Sequence, residues 1–356
     1  MTKELTICTL NVRGFRNKLK RKATYKYIRE HNIDVACFQE TYITSEIDAD
    51  IEREWKGTVL SRTGTKQSNG LVTLVSPNIR PENTELIASS DRILVAKVKG
   101  HTSDYVIANC YAPCATPEKT QFLELLKRTL QTNENINTIV AGDFNTTMDN
   151  SLDNIAGLPH PDKEMLSFRE TVASLDLHDI WRTHHPLEKQ YTWSRPNPFT
   201  ARRLDYIFCN TYTLSKLSTS TIETFAHSDH KMVKITIKSN NFKRGPGYWK
   251  FNASLLTDDE FLKKMNDLIE THFDEYSYES AITAWETMKF KIKSACIAFS
   301  KKHSNTNKSH RHHFITALYA AEEKLTWNPD QEELQRRTKN LKKDIELKEL
   351  SIARGA

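Results

Sequence analysis

Residues 138–145, T-I-V-A-G-D-F-N, constrain the fold more than any other stretch of the chain. Residues 139–141 are all apolar, which is typical of a strand buried on both faces. Alternate residues of an extended chain share a face, so Asp143 and Asn145 can point the same way while Phe144 turns into the core. A carboxylate and a carboxamide at a strand end suit a site for a phosphate and a metal ion. An ordinary Asx-rich turn is the other interpretation of these residues alone.

Composition limits the class of protein. The chain has 356 residues, of which 38% are hydrophobic and 27% charged, so it can bury one large core or two. No stretch approaches the roughly 18 consecutive apolar residues that a membrane span requires. A strand-like pattern begins at Glu4, and we expect it to leave no room for a signal peptide.

Charge and cysteine usage indicate an intracellular protein that can bind a polyanion. The net charge is +6, which suits a nucleic acid partner without requiring one. None of the cysteines has the C-x-x-C spacing of a metal site. Four lie in or beside apolar runs, and we expect them to be reduced core residues of a cytosolic or nuclear protein: Cys8, Cys37, Cys110 and Cys209.

The order of elements predicts an α/β fold built as a two-sheet sandwich. Helical patterns follow Asn17 and Pro117 and cover 163–174, but they do not alternate regularly with the strands. This irregular mixture argues against a repeating βαβ fold. Strand-like runs occur at 4–10, 33–38, 70–75, 93–98, 105–110, 139–141, 191–193, 204–209 and 232–237.

The sequence changes character near residue 239. We predict an α/β domain over 1–238, a polar linker over 239–256, and a helical extension over 257–356. The helical patterns of the extension cover 258–275, 278–302 and 313–351. Between the last two we expect 301–313 to be a polar, basic connection. Its histidines His310, His312 and His313 suit a solvated loop better than a metal site.

Polar residues stand at the boundaries of six predicted strands. Any one of them has an ordinary structural explanation, because Asp often begins a turn and a lone His is usually a satisfied structural group. Their repetition at equivalent boundaries predicts that they meet in one site. The residues are Asn11, Glu40, Tyr111, Asp143 with Asn145, Asp205, and Asp229 with His230.

Six short motifs surround these polar residues. They are N-V-R-G at 11–14, Q-E-T at 39–41, N-C-Y-A-P at 109–113, G-D-F-N at 142–145, R-L-D-Y-I at 203–207 and S-D-H at 228–230. In this order they resemble the endonuclease/exonuclease/phosphatase superfamily, over about residues 4–238. The resemblance implies a four-layer sandwich like that of abasic-site endonucleases and DNase I, and hydrolysis of a phosphodiester.

The resemblance assigns a role to each polar residue. Glu40 is implied as the main metal ligand, assisted by Asn11, for Mg²⁺ with Mn²⁺ as a substitute. Hard oxygen ligands suit Mg²⁺, and a cation would offset the repulsion between carboxylates and a phosphodiester. Asp143 is implied to orient or deprotonate the attacking water, and Asn145 to position the phosphate.

The remaining roles concern the phosphoryl group and the leaving group. By the resemblance, His230 hydrogen-bonds a phosphoryl oxygen, and we expect Asp229 to hold its imidazole. Tyr111 assists, and Asp205 lies near the metal and the leaving group.

A finer resemblance is to the endonuclease domain of LINE-type, non-LTR retrotransposons. This resemblance rests on Y-T-W at 191–193 and on the segments 245–256 and 353–356. Thr192 matches a residue near the scissile phosphate. This resemblance implies double-stranded DNA, element RNA and a downstream reverse transcriptase domain as partners, and action in the nucleus after synthesis in the cytoplasm. We expect the loop 194–203 to contact the DNA minor groove through Arg195, Arg202 and Arg203.

Three other functions remain open from the sequence. A repair-type abasic-site endonuclease would need an apolar pocket for the flipped sugar, which the sequence does not identify. A phosphatase of lipid or inositol phosphates belongs to the same superfamily. A non-catalytic nucleic-acid-binding scaffold is a third possibility, but the complete set of polar motifs argues against it.

Overall fold

Two six-stranded sheets form the framework of the chain. The computed structural model describes residues 3–65, 69–99, 103–130, 136–155, 159–196, 199–239, 251, 253–275, 280–328 and 331–354. Most of the predicted linker 239–256 therefore lies outside the described residues. We number strands and helices in chain order.

The first sheet holds the two ends of the α/β region. Its central strands β1 and β2 run parallel, and its other pairs are antiparallel. In spatial order its strands are β14 (Leu217–Thr224), β15 (Lys231–Ser239), β1 (Lys3–Asn11), β2 (Val35–Gln39), β4 (Leu71–Val75) and β3 (Thr58–Arg62).

The second sheet holds the middle of the chain, and its β7 and β8 run parallel. In spatial order its strands are β10 (Leu177–Asp179), β13 (Asp205–Asn210), β8 (Asn137–Asp143), β7 (Asp104–Tyr111), β6 (Ile93–Lys99) and β5 (Thr84–Ser89). A third, three-stranded sheet consists of β11 (Trp193–Pro196), β12 (Phe199–Arg202) and β9 (Asn154–Ile155).

Helices cover the outer faces of both sheets and form the extension. They are α1 (Lys18–Glu30), α2 (Ser45–Glu54), α3 (Thr116–Leu130), α4 (Asp162–Ser174), α5 (Ile180–His184), α6 (Thr211–Leu214), α7 (Asp259–Glu275), α8 (Ala281–Trp327) and α9 (Glu332–Arg354). Short 3₁₀ turns span Pro81–Asn83 and Ala253–Thr257. Among the described residues, no helix is long and apolar enough to cross a membrane.

Strand β8 buries apolar side chains on both of its faces, so the core has two apolar layers. Ile139 and Ala141 are fully buried between the sheets, whereas Val140 is buried under α3 and α4. An isoleucine or valine buried in this way stabilises the fold by about 1.5–3 kcal/mol relative to an exposed one. The predicted two-sheet sandwich is confirmed, with helices, sheet, sheet and helices as its four layers. The predicted inward turn of Phe144 is also confirmed, since its ring packs against Phe168 with centroids 5.0 Å apart.

Local predictions at α1 and at the cysteines are also confirmed. The side chain of Asn17 caps α1 by accepting hydrogen bonds from the backbone N–H groups of Leu19 and Lys20. Inward residues of the helix, such as Tyr25 and Ile28, pack against the outer face of the first sheet. The four cysteines predicted to lie in the core are buried free thiols.

The helical extension differs from the prediction. Residues 301–313 continue α8 without a break, so the predicted connection there is wrong. The segment is polar but contains neither glycine nor proline, and nothing in it terminates a helix. The helix instead ends at Trp327, just before Asn328 and Pro329, because a proline disfavours helical backbone in the residue before it.

A buried ionic cluster joins the base of the β11–β12 hairpin to the second sheet. Arg203 is 1% exposed, and its guanidinium lies 2.8 Å from Asp153 and 2.6 Å from Asp179. Arg182 adds a second guanidinium 2.6 Å from Asp153. The prediction that Arg203 contacts DNA is therefore wrong, because two core carboxylates hold its side chain away from solvent.

We predict that Arg203→Ala destabilises the protein by about 3–5 kcal/mol, because it leaves two buried carboxylates short of their cation. Urea unfolding followed by circular dichroism measures the loss. Arg195→Ala serves as the control, since this arginine is exposed and surface changes usually stay within about 0.5 kcal/mol. Equal stability of the two variants would contradict the assigned role of the cluster.

Candidate functional site

The site lies where central strands of both sheets end. In the second sheet, β8 places Asp143 between two neighbours, with Tyr111 of β7 on one side and Asp205 of β13 on the other. From the first sheet, Asn11 at the end of β1 donates a hydrogen bond from Nδ2 to Asp143 Oδ2, 2.9 Å away. This bond joins the two sheets at the centre of the site, as the strand-end pattern predicts.

Asn145 is fixed beside Asp143 by backbone geometry. Its φ of +48° lies in the left-handed region, which Asn tolerates better than most residues. Its backbone N–H donates to Asp143 Oδ1 at 2.9 Å, and its side-chain amide donates to the carbonyl of Ala112 at 2.8 Å. Asp143 and Asn145 therefore meet at one edge of the sheet.

His230 is held by Asp205. Its Nδ1 lies 2.8 Å from Asp205 Oδ2, and its Nε2 lies 4.0 Å from Asp143 Oδ2. The predicted pairing of His230 with Asp229 is wrong. The Nδ1 of the imidazole is taken by Asp205, and the Asp229 carboxylate is held by other donors. Asp229 instead accepts hydrogen bonds from Arg13 at 2.7 Å and Trp193 at 3.3 Å.

The buried charges of the site shift each other's ionisation. Burial alone would lower the pKa of His230, but the carboxylates of Asp205, Asp143 and Asp229 raise it to about 9. Burial, and then repulsion from Asp205, raises the pKa of Asp143 to about 7. The imidazole therefore carries its proton at neutral pH, while the Asp143 carboxyl is poised to hold or release one.

Glu40 occupies a separate part of the site. The hydroxyl of Tyr111 donates to Glu40 Oε1 at 2.7 Å, and the hydroxyl of Tyr42 donates to Oε2. Glu40 and Tyr42 have φ values of +49° and +52°, and this backbone turns both side chains to one place. The Q-E-T-Y sequence contained Tyr42, but a tyrosine two residues after the carboxylate gave no signal that it would return to it.

The donor set fits a divalent cation. Among the described residues, the buried oxygens Asp205 Oδ1 and Asp229 Oδ1 have no hydrogen-bond partner. Hard carboxylate oxygens of this kind suit Mg²⁺. One atom each of Asp143, Asp205 and His230 also lie within 4.8 Å of one another. Within this trio the Nδ1 of His230 already pairs with Asp205 Oδ2 at 2.8 Å, an arrangement that suits proton handling.

Thr192 supports the site from within the core. It is fully buried, and its Oγ1 accepts hydrogen bonds from the backbone N–H groups of Leu204 at 2.9 Å and Asp205 at 3.0 Å. The predicted contact of Thr192 with DNA is therefore wrong, because its side chain is fully buried. Its role is to position Asp205 at the start of β13.

The predicted DNA-contacting loop is a hairpin made of β11 and β12. Arg195 is exposed and Arg202 half-buried, so both remain candidates for a surface contact. Residues 197–198 at the tip lie outside the described residues.

Two positioning residues escaped the sequence predictions. Ser228 donates its hydroxyl to the carbonyl of Asn11 at 2.6 Å and accepts from the N–H of His230 at 3.1 Å, which fixes the loop before β15 against β1. Arg13 reaches Asp229 from the first motif. Both residues lie inside quoted motifs, but Asn11, the partner of Ser228 on β1, and Asp229, the partner of Arg13, are more than 200 positions away along the chain.

Comparisons with known proteins agree with this geometry. A model of the Endonuclease/Exonuclease/phosphatase family matches residues 8–230, a range that includes every residue of the cluster around Asp143. The chain is also similar to the transposon TX1 uncharacterized 149 kDa protein of Xenopus laevis, at 30% identity over 336 residues. This match covers 92% of the chain but 25% of the relative, so the chain spans about a quarter of that protein's length.

Solved structures share the fold at low identity. AP endonuclease LMAP from Leishmania major has a TM-score of 0.59 and 20% identity, over 66% of this chain and 88% of that one. The endonuclease domain of TRAS1, a telomere-specific non-LTR retrotransposon, has a TM-score of 0.50 and 16% identity, over 66% of this chain and 98% of that one.

Proposed function

Because the chain belongs to the endonuclease/exonuclease/phosphatase family, we propose that it is a Mg²⁺-dependent DNA endonuclease of a non-LTR retrotransposon. One observation carries the proposal. His230, held by Asp205 at 2.8 Å, lies 4.0 Å from the carboxylate of Asp143. A hydrogen-bond donor beside a proton acceptor suits phosphodiester hydrolysis, in which one contacts a phosphoryl oxygen and the other the attacking water.

Each residue near Asp143 has a task in this reaction. Asp143 orients the attacking water and accepts its proton, since a base with a pKa near the working pH is the most effective. Asn145 positions the phosphate. His230 donates a hydrogen bond to a phosphoryl oxygen as negative charge develops there, and Asp205 keeps the imidazole oriented and charged.

The carboxylate side of the site suits the cation. Glu40, with Asn11 and Asp229 as further oxygen donors, would hold Mg²⁺, or Mn²⁺ in its place. The ion would supply positive charge for the phosphoryl oxygens and the departing 3′-oxygen. Tyr42 and Tyr111 hold the Glu40 carboxylate in a fixed orientation for that ion.

The biological setting that we propose is a retroelement. Similarity to a transposon-encoded protein, about four times the length of this chain, supports it. The nick would leave a 3′-hydroxyl that primes reverse transcription by a downstream domain, with element RNA as template. Its double-stranded DNA target places this action in the nucleus, after synthesis in the cytoplasm.

Nicking of supercoiled plasmid in Mg²⁺ tests the proposed reaction. We expect His230→Ala and Asp205→Ala each to slow nicking by about 10²–10⁴-fold while the protein stays folded, because each change removes charge stabilisation in the transition state. Glu170→Ala, which removes an exposed carboxylate on α4, should keep the wild-type rate.

The product ends extend the same experiment. A polymerase should extend the nick without prior phosphatase treatment, as a 3′-hydroxyl requires. Near-normal nicking by folded His230→Ala would contradict the site assignment. Cleavage confined to plasmid that contains abasic sites would instead indicate a repair-type endonuclease.

The exposed arginine of the hairpin tests where site preference lies. We expect Arg195→Ala to alter the distribution of cut sites on a long DNA, because an arginine in the minor groove responds to groove width. Nicking should persist, since Arg195 lies outside the catalytic cluster. Arg128→Ala, which removes an exposed arginine on α3, is the matched control. The same cut-site map for both variants would place specificity outside this hairpin.

A further inference from the structure

The end of α8 lies against the loop that carries His230. Strands β14 and β15 pair Thr224 with Lys231, so these two residues close the loop 225–230. The side chain of Glu322 on α8 reaches both of them. It forms an ion pair with Lys231 at 2.5 Å and accepts a hydrogen bond from Thr224 Oγ1 at 3.4 Å.

Glu322 is a buried charge with two cationic partners. Its side chain is 12% exposed, and Lys342 of α9 provides a second ammonium group 3.1 Å away. Burial opposes ionisation of this carboxyl, but the two lysines overcome the effect and lower its pKa to about 2. The carboxylate is therefore charged at any pH at which the protein works.

Two neighbours of Glu322 on α8 reinforce the contact. One turn earlier, the hydroxyl of Tyr319 accepts a hydrogen bond from the backbone N–H of Thr224 at 3.0 Å. One turn later, Leu325 is buried in an apolar cluster with Phe199 and Ala201 of the hairpin and with Tyr191. The same face of α8 thus touches both the catalytic loop and the hairpin.

A second helix of the extension reaches the loop from another direction. His227 lies inside the loop with its side chain 1% exposed, and its Nε2 is 2.9 Å from a carboxylate oxygen of Glu349 on α9. The extension therefore holds the loop at its base through α8 and in its interior through α9.

Lys231, which Glu322 contacts, is connected to the catalytic residues by a short series of covalent and hydrogen bonds. Lys231 follows His230 directly, and its backbone N–H donates to the carbonyl of Thr192 at 2.6 Å. The hydroxyl of Thr192 in turn fixes the start of β13, where Asp205 binds the imidazole. A shift of Lys231 would consequently move both partners of the His230–Asp205 pair.

We propose that Glu322 is a positioning residue, and that the helical extension uses it to set the geometry of the catalytic loop. This inference rests on the proposed endonuclease function. It gives residues 319–349 a task in the cleavage step itself. Any movement of α8 would then be transmitted to the rate of cleavage.

The test compares Glu322→Gln and Tyr319→Phe with wild type, all in the full 356-residue chain. Glu322→Gln keeps the size of the side chain but leaves Lys231 and Lys342 without their shared anion. Tyr319→Phe removes the acceptor for the N–H of Thr224. Glu333→Gln makes the same charge change at an exposed position of α9 and serves as the control.

Three measurements separate positioning from simple support of the fold. Single-turnover nicking should slow by about tenfold in Glu322→Gln, as expected for a small displacement of a catalytic group. The Kd for plasmid DNA should stay within about twofold of wild type, because no group proposed to contact DNA has changed. Amide hydrogen exchange at Thr224 and Lys231 should be faster in both variants and unchanged in Glu333→Gln.

The outcomes are distinguishable. Unchanged nicking in Glu322→Gln and Tyr319→Phe, even with faster exchange, would overturn the positioning role. Equal slowing by Glu333→Gln would overturn it too. A wild-type chain that binds DNA but never nicks it would overturn the proposed function instead. In that case, unchanged amide hydrogen exchange in the variants would also overturn the docking of α8 on the loop.

Discussion

The burial of Asp143, Asp205 and His230 in one cluster is the constraint on which the site depends. Each of the three side chains is at most 8% exposed, and removing a single charge from water costs several kcal/mol. The cluster is tolerable because every member has partners. His230 pairs with Asp205, while Asn11 and the backbone of Asn145 donate to Asp143.

These partners explain why the site must lie between the two sheets. Asn11 comes from the first sheet and Asp143 from the second, so their hydrogen bond forms only when the sandwich is closed. Thr192 and Ser228 then fix the segments that bring Asp205 and His230. The apolar core between the sheets and the polar site at its edge therefore stabilise the same arrangement of strands.

The sequence predicted the architecture well because apolar periodicity records burial directly. It also placed the polar residues at strand ends, since a strand end is a local property of the chain. The pairing of side chains from distant parts of the chain is not a local property. Asp229 is next to His230 in sequence but accepts hydrogen bonds from Arg13 and Trp193, whereas Asp205 comes from another strand and pairs with the imidazole. No local pattern distinguishes the two carboxylates.

The sequence also does not show which polar side chains are buried. Thr192 and Arg203 belong to residue types that usually lie at the surface, and an arginine beside a loop suggests a nucleic acid contact. Their buried partners, such as Asp153, became visible only in three dimensions. The unbroken α8 differs from the prediction for a related reason, because the polar composition of 301–313 is typical of a loop as well as of an exposed helix.

Titration of His230 in the metal-free protein tests the central claim most directly. Two-dimensional NMR of the labelled imidazoles follows each histidine with pH, and His230→Gln assigns its signal among the 13 histidines. The site described here predicts a pKa for His230 of about 9 in the wild type, well above the ordinary 6.5, and a clear decrease in Asp205→Asn. A His230 that titrates near 6.5 in the wild type, or whose pKa is unchanged in Asp205→Asn, would contradict it.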